Sequence, residues 1–600
     1  TEAYLKEANA VYKTLQIVRG NRAYMLMGGM PKGKEMNDVD AFLQSLELQP
    51  YEASTYSEQR LGGFVVKAPG SFTEIPEDST ERSLHFSKHY SVRNPTDLVI
   101  YDVFVQTFSP YYWVANDSTY FYDRIAQYKR IDDSLVKKEW IQNGGVKGLD
   151  IVVKIPGHNS LRKVRMLVSG DTLYTLNSMI PSQEIDAPHH QAFFNEFALI
   201  KEAPPAIYTP KVAALLAALQ SRDSAVLEDA REQLRFVEFR KEDLPALQQS
   251  LLKSYADSEE YSSVKNSLVG IVSQLADSGT VAFIEQNYDV KSEDPNTKYA
   301  LLAVLAKMQT SHAYGLLKTL LLSRLPAAGD PAMLHSALYD SLPLTAKLFP
   351  ELLQHSADSL LGHTIAIHAN NLLDSNLLTA NDMKPYHDEI LKGATKAAAL
   401  ARTEKEELWN FSDWAFFAGS TKSEKGNALL RQMLLLKDVY VKQAVILALL
   451  KNNQPVSAAE ITKVAADKVQ RIYFYSELKK RKKESLFPAL YASQKSLAES
   501  ELYNFIGDEY TDDFTLTYAG ERIEEYEGSK KRFHLFKLRM AYDEEKKQDF
   551  LAVAGPYEIN AKEKLTSSGA SGFYTGEEFS AAKMKKLLKA YLQELKPAEE

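Results

Sequence analysis

The sequence predicts a multidomain chain of mixed class, with antiparallel α+β modules, an all-α solenoid and a C-terminal α+β domain. A hairpin–loop–helix pattern occurs twice in the first 200 residues, strand patterns then give way to amphipathic helices, and β character returns near the end. The predicted domains are the C-terminal part of a truncated α+β module at 1–50, a second, complete α+β module at 51–204, a helical repeat domain at 205–505 and an α+β domain at 506–600.

The first prediction rests on an internal repeat between 20–48 and 170–199. Each copy has a Gly-Asn or Gly-Asp turn, an alternating strand and a helix, and Phe42 and Leu46 are four apart on one predicted helix face. Half a sheet would have an unpaired edge, so we expect the native polypeptide to extend upstream of Thr1. The matched pairs are Gly20 with Gly170, Tyr24 with Tyr174, Leu26 with Leu176, Pro31 with Pro181, Ala41 with Ala192, Phe42 with Phe193 and Leu48 with Leu199.

The first copy contains "MLMGGMPKGKEM", in which Gly28, Gly33 and Lys34 are one residue short of a phosphate-binding P-loop. Glu35 replaces the Ser or Thr whose hydroxyl would hold Mg²⁺. The second copy has Ser, Gln and Glu at the three equivalent places. The sequence therefore predicts a strand–helix loop and no bound nucleotide.

The complete module is predicted to hold strands at 62–70, 97–106, 149–157 and 162–168. Residues 117–141 are predicted to form one or two helices, with Ile125, Tyr128 and Leu135 facing inward. The segments "FVVKAPG", "IVVKIPG", "SGDTLYTLNSMIP" and "HHQAFFNEFAL" resemble the PsbP/Mog1-type fold over about 62–200, and the tail of a copy over 1–48. That resemblance implies a small binding or assembly module, without a catalytic centre.

The helical domain shows repeated amphipathic segments, among them "PKVAALLAALQSRD", "NTKYALLAVLAKMQ", "KLFPELLQHS" and "KKESLFPALYASQ". Pro245, Pro350 and Pro488 are predicted to lie in first helical turns, where proline is tolerated. The "LPxL" and "FPxL" openings resemble HEAT-type repeats, which implies a concave surface that holds a protein partner. A compact, irregular helical domain is the alternative.

The C-terminal domain is predicted to contain strands at 532–542 and 549–559, separated by the charged loop "DEEKKQ". A final helix, "SAAKMKKLLKAYLQELK", follows. Its apolar face is predicted to carry Met584, Leu587, Leu588, Tyr591 and Leu595.

The histidines offer the first candidates for chemistry. His189 and His190 are close to Glu184 and Asp186, but surface or helix-capping roles are favoured over metal ligation. His363 and His368 are five apart, which does not suit an i,i+4 zinc pair, and "YHDE" at 386–389 is a lone cluster on a predicted helix. HExxH and GxSxG motifs do not occur. The sequence therefore predicts no catalytic, cofactor-binding or metal-ligating residues and no cofactor.

Two further segments are interpreted as structural rather than as ligand-binding. The basic run "ELKKRKKES" at 477–485 is predicted to be a solvated turn, with phosphate, lipid or nucleic-acid contact as the alternative. The aromatic run "EELWNFSDWAFF" at 406–417 is predicted to pack in a helical core, with a ligand pocket as the alternative.

Composition restricts the function. A net charge of −8 argues against general binding of nucleic acid or anionic membranes, and no run of 18 apolar residues could span a bilayer. The chain contains no cysteine, which excludes disulfides and thiol catalysis. This fits a periplasmic or other cell-envelope protein, although cytoplasmic proteins can also lack cysteine.

The ending "FKLRMAY…FLAVAGPY" and the Tyr-rich, Cys-free composition resemble the C-terminal part of large Bacteroidota envelope proteins, some of which carry an upstream TraB/GumN-type domain. The GxxH hallmark of that domain is absent. The leading hypothesis is a non-enzymatic envelope scaffold that binds a protein partner on its helical repeats. The alternatives are an accessory region of a TraB/GumN-type metal-dependent hydrolase and a periplasmic ligand-binding protein.

Overall fold

The computed structural model describes residues 2–5, 10–19, 22–49, 54–76, 86–256, 263–401, 411–509, 514–540, 548–559, 565–566 and 569–595. Contacts divide the chain into two compact units, the first made of Thr1–Asp277 with Ser292–Asp294 and the second of Ser278–Lys291 with Pro295–Glu600. The described residues form four antiparallel sheets and many helices, which confirms a multidomain protein of mixed α+β class.

The first unit begins with a three-stranded sheet of order β1-β2-β3. Arg19 on β2 pairs with Arg22 on β3, and the predicted turn residues 20 and 21 lie outside the described residues. The first strand was not predicted. The elements are β1 (Glu2–Leu5), β2 (Ala10–Arg19), β3 (Arg22–Pro31) and α1 (Asn37–Gln44).

Helix α1 packs on this sheet through Val39 and Leu43. Gly28 lies directly beneath the helix, because a Cβ atom there would come within 2.7 Å of Val39 Cγ1. The predicted contact face was wrong: Phe42 is 50% exposed, and Leu46 lies beyond the end of the helix. Because Gly28 has no side chain, Val39 can pack directly against the sheet at this position.

The complete module is built on a seven-stranded sheet of order β6-β7-β8-β12-β11-β10-β9, beside a smaller sheet of order β13-β5-β4. All four predicted strands and the second hairpin are confirmed. The elements are β4 (Ser57–Leu61), β5 (Phe64–Ala68), β6 (Thr73–Ile75), β7 (Phe86–Arg93), β8 (Ile100–Thr107), α2 (Asp117–Tyr128), β9 (Ser134–Asn143), β10 (Val146–Lys154), β11 (Ser160–Ser169), β12 (Thr172–Pro181), α3 (Pro188–Asn195) and β13 (Ala198–Leu199).

The large sheet has a core on each face, as alternation along its strands requires. On one face Leu176 packs with Phe193 of α3 and Phe64 of the small sheet. On the other face Leu173 packs with Phe121 of α2. Ile125, Tyr128 and Leu135 pack against this second core, so their predicted inward positions are confirmed.

The prediction of helix throughout 117–141 was wrong in its second half. Asn116 caps α2 by accepting the Thr119 N–H, and the helix ends at Tyr128. Residues 134–143 instead form β9, one of the two edge strands of the large sheet. Its charged side chains resemble a helix surface in sequence, but pairing with β10 across a Gly-Gly turn makes it a strand.

Among the described residues, the first unit continues with the α-helices α4 (Val212–Ala218), α5 (Ser224–Gln233), α6 (Leu244–Leu251) and α7 (Val264–Leu275). The second unit continues with α8 (Ser278–Asn287), α9 (Thr297–Lys307), α10 (Ser311–Ser323), α11 (Ala332–Leu338), α12 (Leu342–Thr345), α13 (Gly362–Asp374), α14 (Ala380–Met383), α15 (His387–Leu400), α16 (Phe411–Ser420), α17 (Glu424–Met433), α18 (Val439–Lys451), α19 (Ala458–Ala466), α20 (Gln470–Lys480) and α21 (Gln494–Glu509). Within the described residues, no helix is both long and apolar enough to cross a membrane.

The prediction that three prolines lie in first helical turns is confirmed for one of them and wrong for two. Pro245 lies in the first turn of α6, as predicted. Pro350 instead precedes a short 3₁₀ helix, Glu351–His355, and Pro488 lies in a turn after the 3₁₀ helix Glu484–Leu486. The amphipathic α-helices predicted there are wrong, because the residue before each of these prolines is held in an extended conformation that interrupts a helix.

The second unit ends in a four-stranded sheet with a helix on each face. Helix α21 covers one face through Leu502, and α22 covers the other through Leu588. Both predicted strands are confirmed, and most of the predicted charged loop lies outside the described residues. Leu595 is exposed, and Leu592 is buried instead. The elements are β14 (Phe514–Tyr526), β15 (Ser529–Met540), β16 (Asp549–Tyr557), β17 (Gly572–Tyr574) and α22 (Met584–Glu594).

Tight packing of α15 gives a first testable prediction. A Cβ atom at Gly393 would lie 2.4 Å from the Ser356 carbonyl oxygen and 2.8 Å from ring atoms of Trp414. Gly393→Ala should therefore lower the free energy of unfolding by about 1–3 kcal/mol, as overpacking does. Urea unfolding followed by circular dichroism measures the change.

The matched control is Gly315→Ala in α10, because a Cβ atom built there meets no described atom within 4 Å apart from the adjacent backbone of its own helix. Alanine is favoured over glycine in a helix by about 1 kcal/mol, so this variant should be slightly more stable. Stabilisation of both variants would contradict the packing argument.

Candidate functional sites

Four ionisable side chains converge at the N-terminal end of α3. Asp97 comes from the loop between β7 and β8, Glu184 from the turn after β12, and His189 and His190 from the first turn of α3. One nitrogen or oxygen atom from each lies within 4.8 Å of those of the others. Asp97 and His190 are buried, Glu184 is half-buried and His189 is exposed. We call these four residues the Asp97–His190 cluster.

The β7–β8 loop fixes the position of Asp97. The Asn94 side-chain oxygen accepts the Thr96 N–H at 3.0 Å, and Leu98 adopts a positive φ of 62°. Asp97 Oδ1 accepts the Val99 N–H, and Asp97 Oδ2 accepts the Asn94 side-chain amide, both at 2.9 Å. The loop therefore holds this buried carboxylate in one orientation.

Two tyrosines fix the imidazole of His190. Its Nδ1 is 2.5 Å from the Tyr101 hydroxyl, which is 2.7 Å from the Tyr56 hydroxyl. Nε2 consequently faces the carboxylates, at 3.4 Å from Glu184 and 4.0 Å from Asp97. Burial lowers the pKa of His190 to about 4, so its imidazole is neutral at neutral pH. Burial also raises the pKa of Tyr56 to about 12.

The prediction that His189 and His190 are surface or helix-capping residues was half correct. His189 is exposed as predicted, but His190 is completely buried. Neither histidine caps α3: Ala187 is its N-cap residue, and no side chain among the described residues makes the capping hydrogen bond. Asp186 is exposed and does not belong to the cluster.

One sequence signal pointed to His190. It aligns with Val39, and both side chains are buried at the same place on equivalent helices. A histidine where the repeat holds a valine indicates a polar interior. Asp97 and Tyr101 were not predicted, because they lie about 90 residues away in a segment that resembles an ordinary strand.

The histidines of the helical region have separate partners. His368 is completely buried, and its Nε2 is 3.2 Å from the His335 carbonyl oxygen. Burial lowers the pKa of His368 to about 3. His363 instead faces Asp413, with Nε2 3.5 Å from the carboxylate. His387 is the first residue of α15, as the helical prediction for this segment implies.

The P-loop-like residues occupy a hairpin edge and a turn. Gly28 lies inside β3 and pairs with Lys13. Gly33 has a positive φ of 86°, and the Lys34 N–H donates to the Pro31 carbonyl oxygen. In this geometry Gly28 belongs to a sheet ladder rather than to a loop around a phosphate.

The aromatic run at 406–417 and the basic run at 477–485 agree in part with their predicted structural roles. Phe411, Trp414 and Phe417 are buried in α16, which confirms core packing, whereas Trp409 lies outside the described residues. The basic run covers the end of α20 and the turn after it. Glu477 pairs with both Lys480 and Arg481, so part of its charge is neutralised locally.

A surface groove lies between the N-terminal ends of α18 and α20. It has a volume of about 520 Å³ and is lined by Lys437, Asp438, Val439, Tyr440, Asp467, Val469 and Gln470. Both aspartates accept backbone N–H groups of the helices, Asp438 from Val441 and Asp467 from Val469 and Gln470. We call this feature the α18–α20 groove.

No known protein-family model and no curated protein matches this chain. Functional inference therefore rests on the fold and on the geometry of these sites.

Proposed function

We propose that the chain is a non-enzymatic scaffold of the bacterial cell envelope, which binds a protein partner on a HEAT-like helical surface. The observation that carries this proposal is the apolar exposure in and near the α18–α20 groove. Tyr440 and Val469 line the groove and are 40% and 41% exposed. Tyr473 follows Val469 by about one helical turn and is 51% exposed, and Leu435 lies two residues before the lining residue Lys437 and is 80% exposed. Grouped apolar exposure of this kind is typical of interaction sites.

The chemistry of the groove favours a protein over a nucleic acid. Its walls present an aromatic ring, two valines and charges of both signs, and the chain carries a net charge of −8. Nucleic-acid surfaces require clustered positive charge, whereas an apolar centre with a mixed polar rim suits a protein segment. The absence of cysteine supports the envelope assignment, since exported proteins often avoid stray thiols.

Site-specific photo-crosslinking in the native cells tests the proposal. A crosslinking amino acid at position 473 should capture one defined protein, which mass spectrometry identifies. The matched control carries the probe at position 377, where Leu377 is also partly exposed in the second unit.

The adduct at 473 should disappear when Leu435→Glu is introduced. Equal capture at 473 and 377, or capture insensitive to Leu435→Glu, would contradict partner binding at the groove.

A further inference from the structure

We infer that the Asp97–His190 cluster is a binding site for a divalent transition-metal ion, with Zn²⁺ as the best fit. Each of its four residues offers one ligand atom, and all four atoms lie within 4.8 Å of one another. Two imidazoles and two carboxylates form a donor set that zinc accepts, and their two negative charges balance the charge of the ion.

The distances within the cluster suit a shared ion better than direct hydrogen bonds. His190 Nε2 is 3.4 Å from Glu184 and 4.0 Å from Asp97. These separations are long for N–H···O bonds, whose usual range ends near about 3.2 Å. Ligands at about 2.0–2.1 Å from a tetrahedral Zn²⁺ are separated by about 3.3 Å, so the side chains would close in from separations of up to 4.8 Å to complete the site.

The surroundings orient the ligands as outer residues do in known metal sites. The Tyr101 hydroxyl engages His190 Nδ1 and leaves Nε2 as the available nitrogen, and the Tyr56 hydroxyl supports Tyr101. Two N–H donors hold Asp97.

The first copy of the internal repeat has an apolar side chain at the position equivalent to His190. The equivalent of His190 in the first copy is Val39, which packs on Gly28 in an apolar contact. A buried histidine and a buried aspartate together are costly to desolvate, and a bound cation compensates for that cost. The exposed His189 and half-buried Glu184 leave one side of the site open, through which an ion can enter.

The test uses the full chain, stripped of metal with a chelator and titrated with Zn²⁺ by calorimetry. We expect one ion per chain, and we expect Co²⁺ in the same site to give the visible absorption of tetrahedral coordination. His189→Ala and Glu184→Gln should each weaken the affinity by about 10- to 100-fold or more, since even outer-residue changes have effects of this size. Both replacements are at accessible positions, so the fold should be retained, and circular dichroism checks this.

Two matched controls separate a built site from adventitious binding. Asp186→Asn removes an exposed carboxylate from the same turn, and His312→Ala removes an exposed imidazole from α10. Both should bind Zn²⁺ like the unaltered chain. The inference is overturned if the stripped chain binds no Zn²⁺, or if all four variants bind it with equal affinity.

Discussion

Replacing Asp150 by asparagine is expected to lower the free energy of unfolding of the first unit by about 3–5 kcal/mol. Asp150 on β10 faces Arg165 on β11, and the guanidinium donates to both carboxylate oxygens at 2.6 and 2.7 Å. The two side chains are only 10% and 7% exposed. The variant keeps the shape of the side chain but leaves a buried guanidinium without its counter-charge.

The same guanidinium also connects the sheet to α3. Arg165 donates to the Phe194 carbonyl oxygen and to the Asn195 side chain, at the C-terminal end of the helix. Loss of Asp150 should therefore loosen α3 as well as the strand pair. Urea unfolding measures the stability change, and hydrogen exchange of the α3 amides measures the loosening.

The exposed pair on the neighbouring strand is the control. Glu139 lies opposite Asp150 and pairs with Lys137 at 2.7 Å, but both of these side chains are more than half exposed. Glu139→Gln should leave the unfolding midpoint nearly unchanged, because exposed ion pairs contribute little. An equal loss in the two variants would refute the importance of burial.

Acidification from pH 6.5 to 4.5 is expected to remove about 2 kcal/mol more stability from the unaltered second unit than from a His368→Gln variant. Burial is the main cause that lowers the folded-state pKa of His368 from 6.5 to about 3, and the neighbouring His335 is a smaller one. The unfolded chain therefore binds the proton first, so the contribution of His368 is complete above its unfolded pKa and is lost as the pH falls toward 3.

Glutamine suits this comparison because its amide can still donate to the His335 carbonyl oxygen, as Nε2 of His368 does. It does not titrate, whereas His335, His363 and Asp413 remain in both proteins. Chemical unfolding at a series of pH values gives the two stability curves. Parallel curves would show that His368 is not held neutral in the folded state.

Local sequence patterns predicted much of the fold. The hairpins, the longer central strands of the complete module and many helices follow from alternation, helical periodicity and Gly-containing turns, which act over a few residues, whereas β9 was predicted as helix. The short strands β1, β4, β6, β13 and β17 were missed, and so was the eight-residue strand β7. Strands of two to five residues have too few positions to show a pattern, and pairing with a neighbour defines them.

The candidate metal site could not be predicted in the same way. His189 and His190 were visible as a pair, but Asp97 and Tyr101 reach them only because β8 pairs with β12, next to α3. That juxtaposition depends on strand order, which local sequence does not specify. The valine at the equivalent place in the first copy was the one available signal, and it indicated only that His190 would be buried.

The charges on β9 also affect how the protein behaves in a concentrated solution. As an edge strand, β9 presents backbone groups that another chain could pair with, and such pairing is a common start of fibre formation. Lys137, Lys138 and Glu139 lie exposed along it. A second strand would have to desolvate these charges, so growth of aggregates by strand addition is disfavoured. The residues that imitate a helix in the sequence thus protect the edge of the sheet.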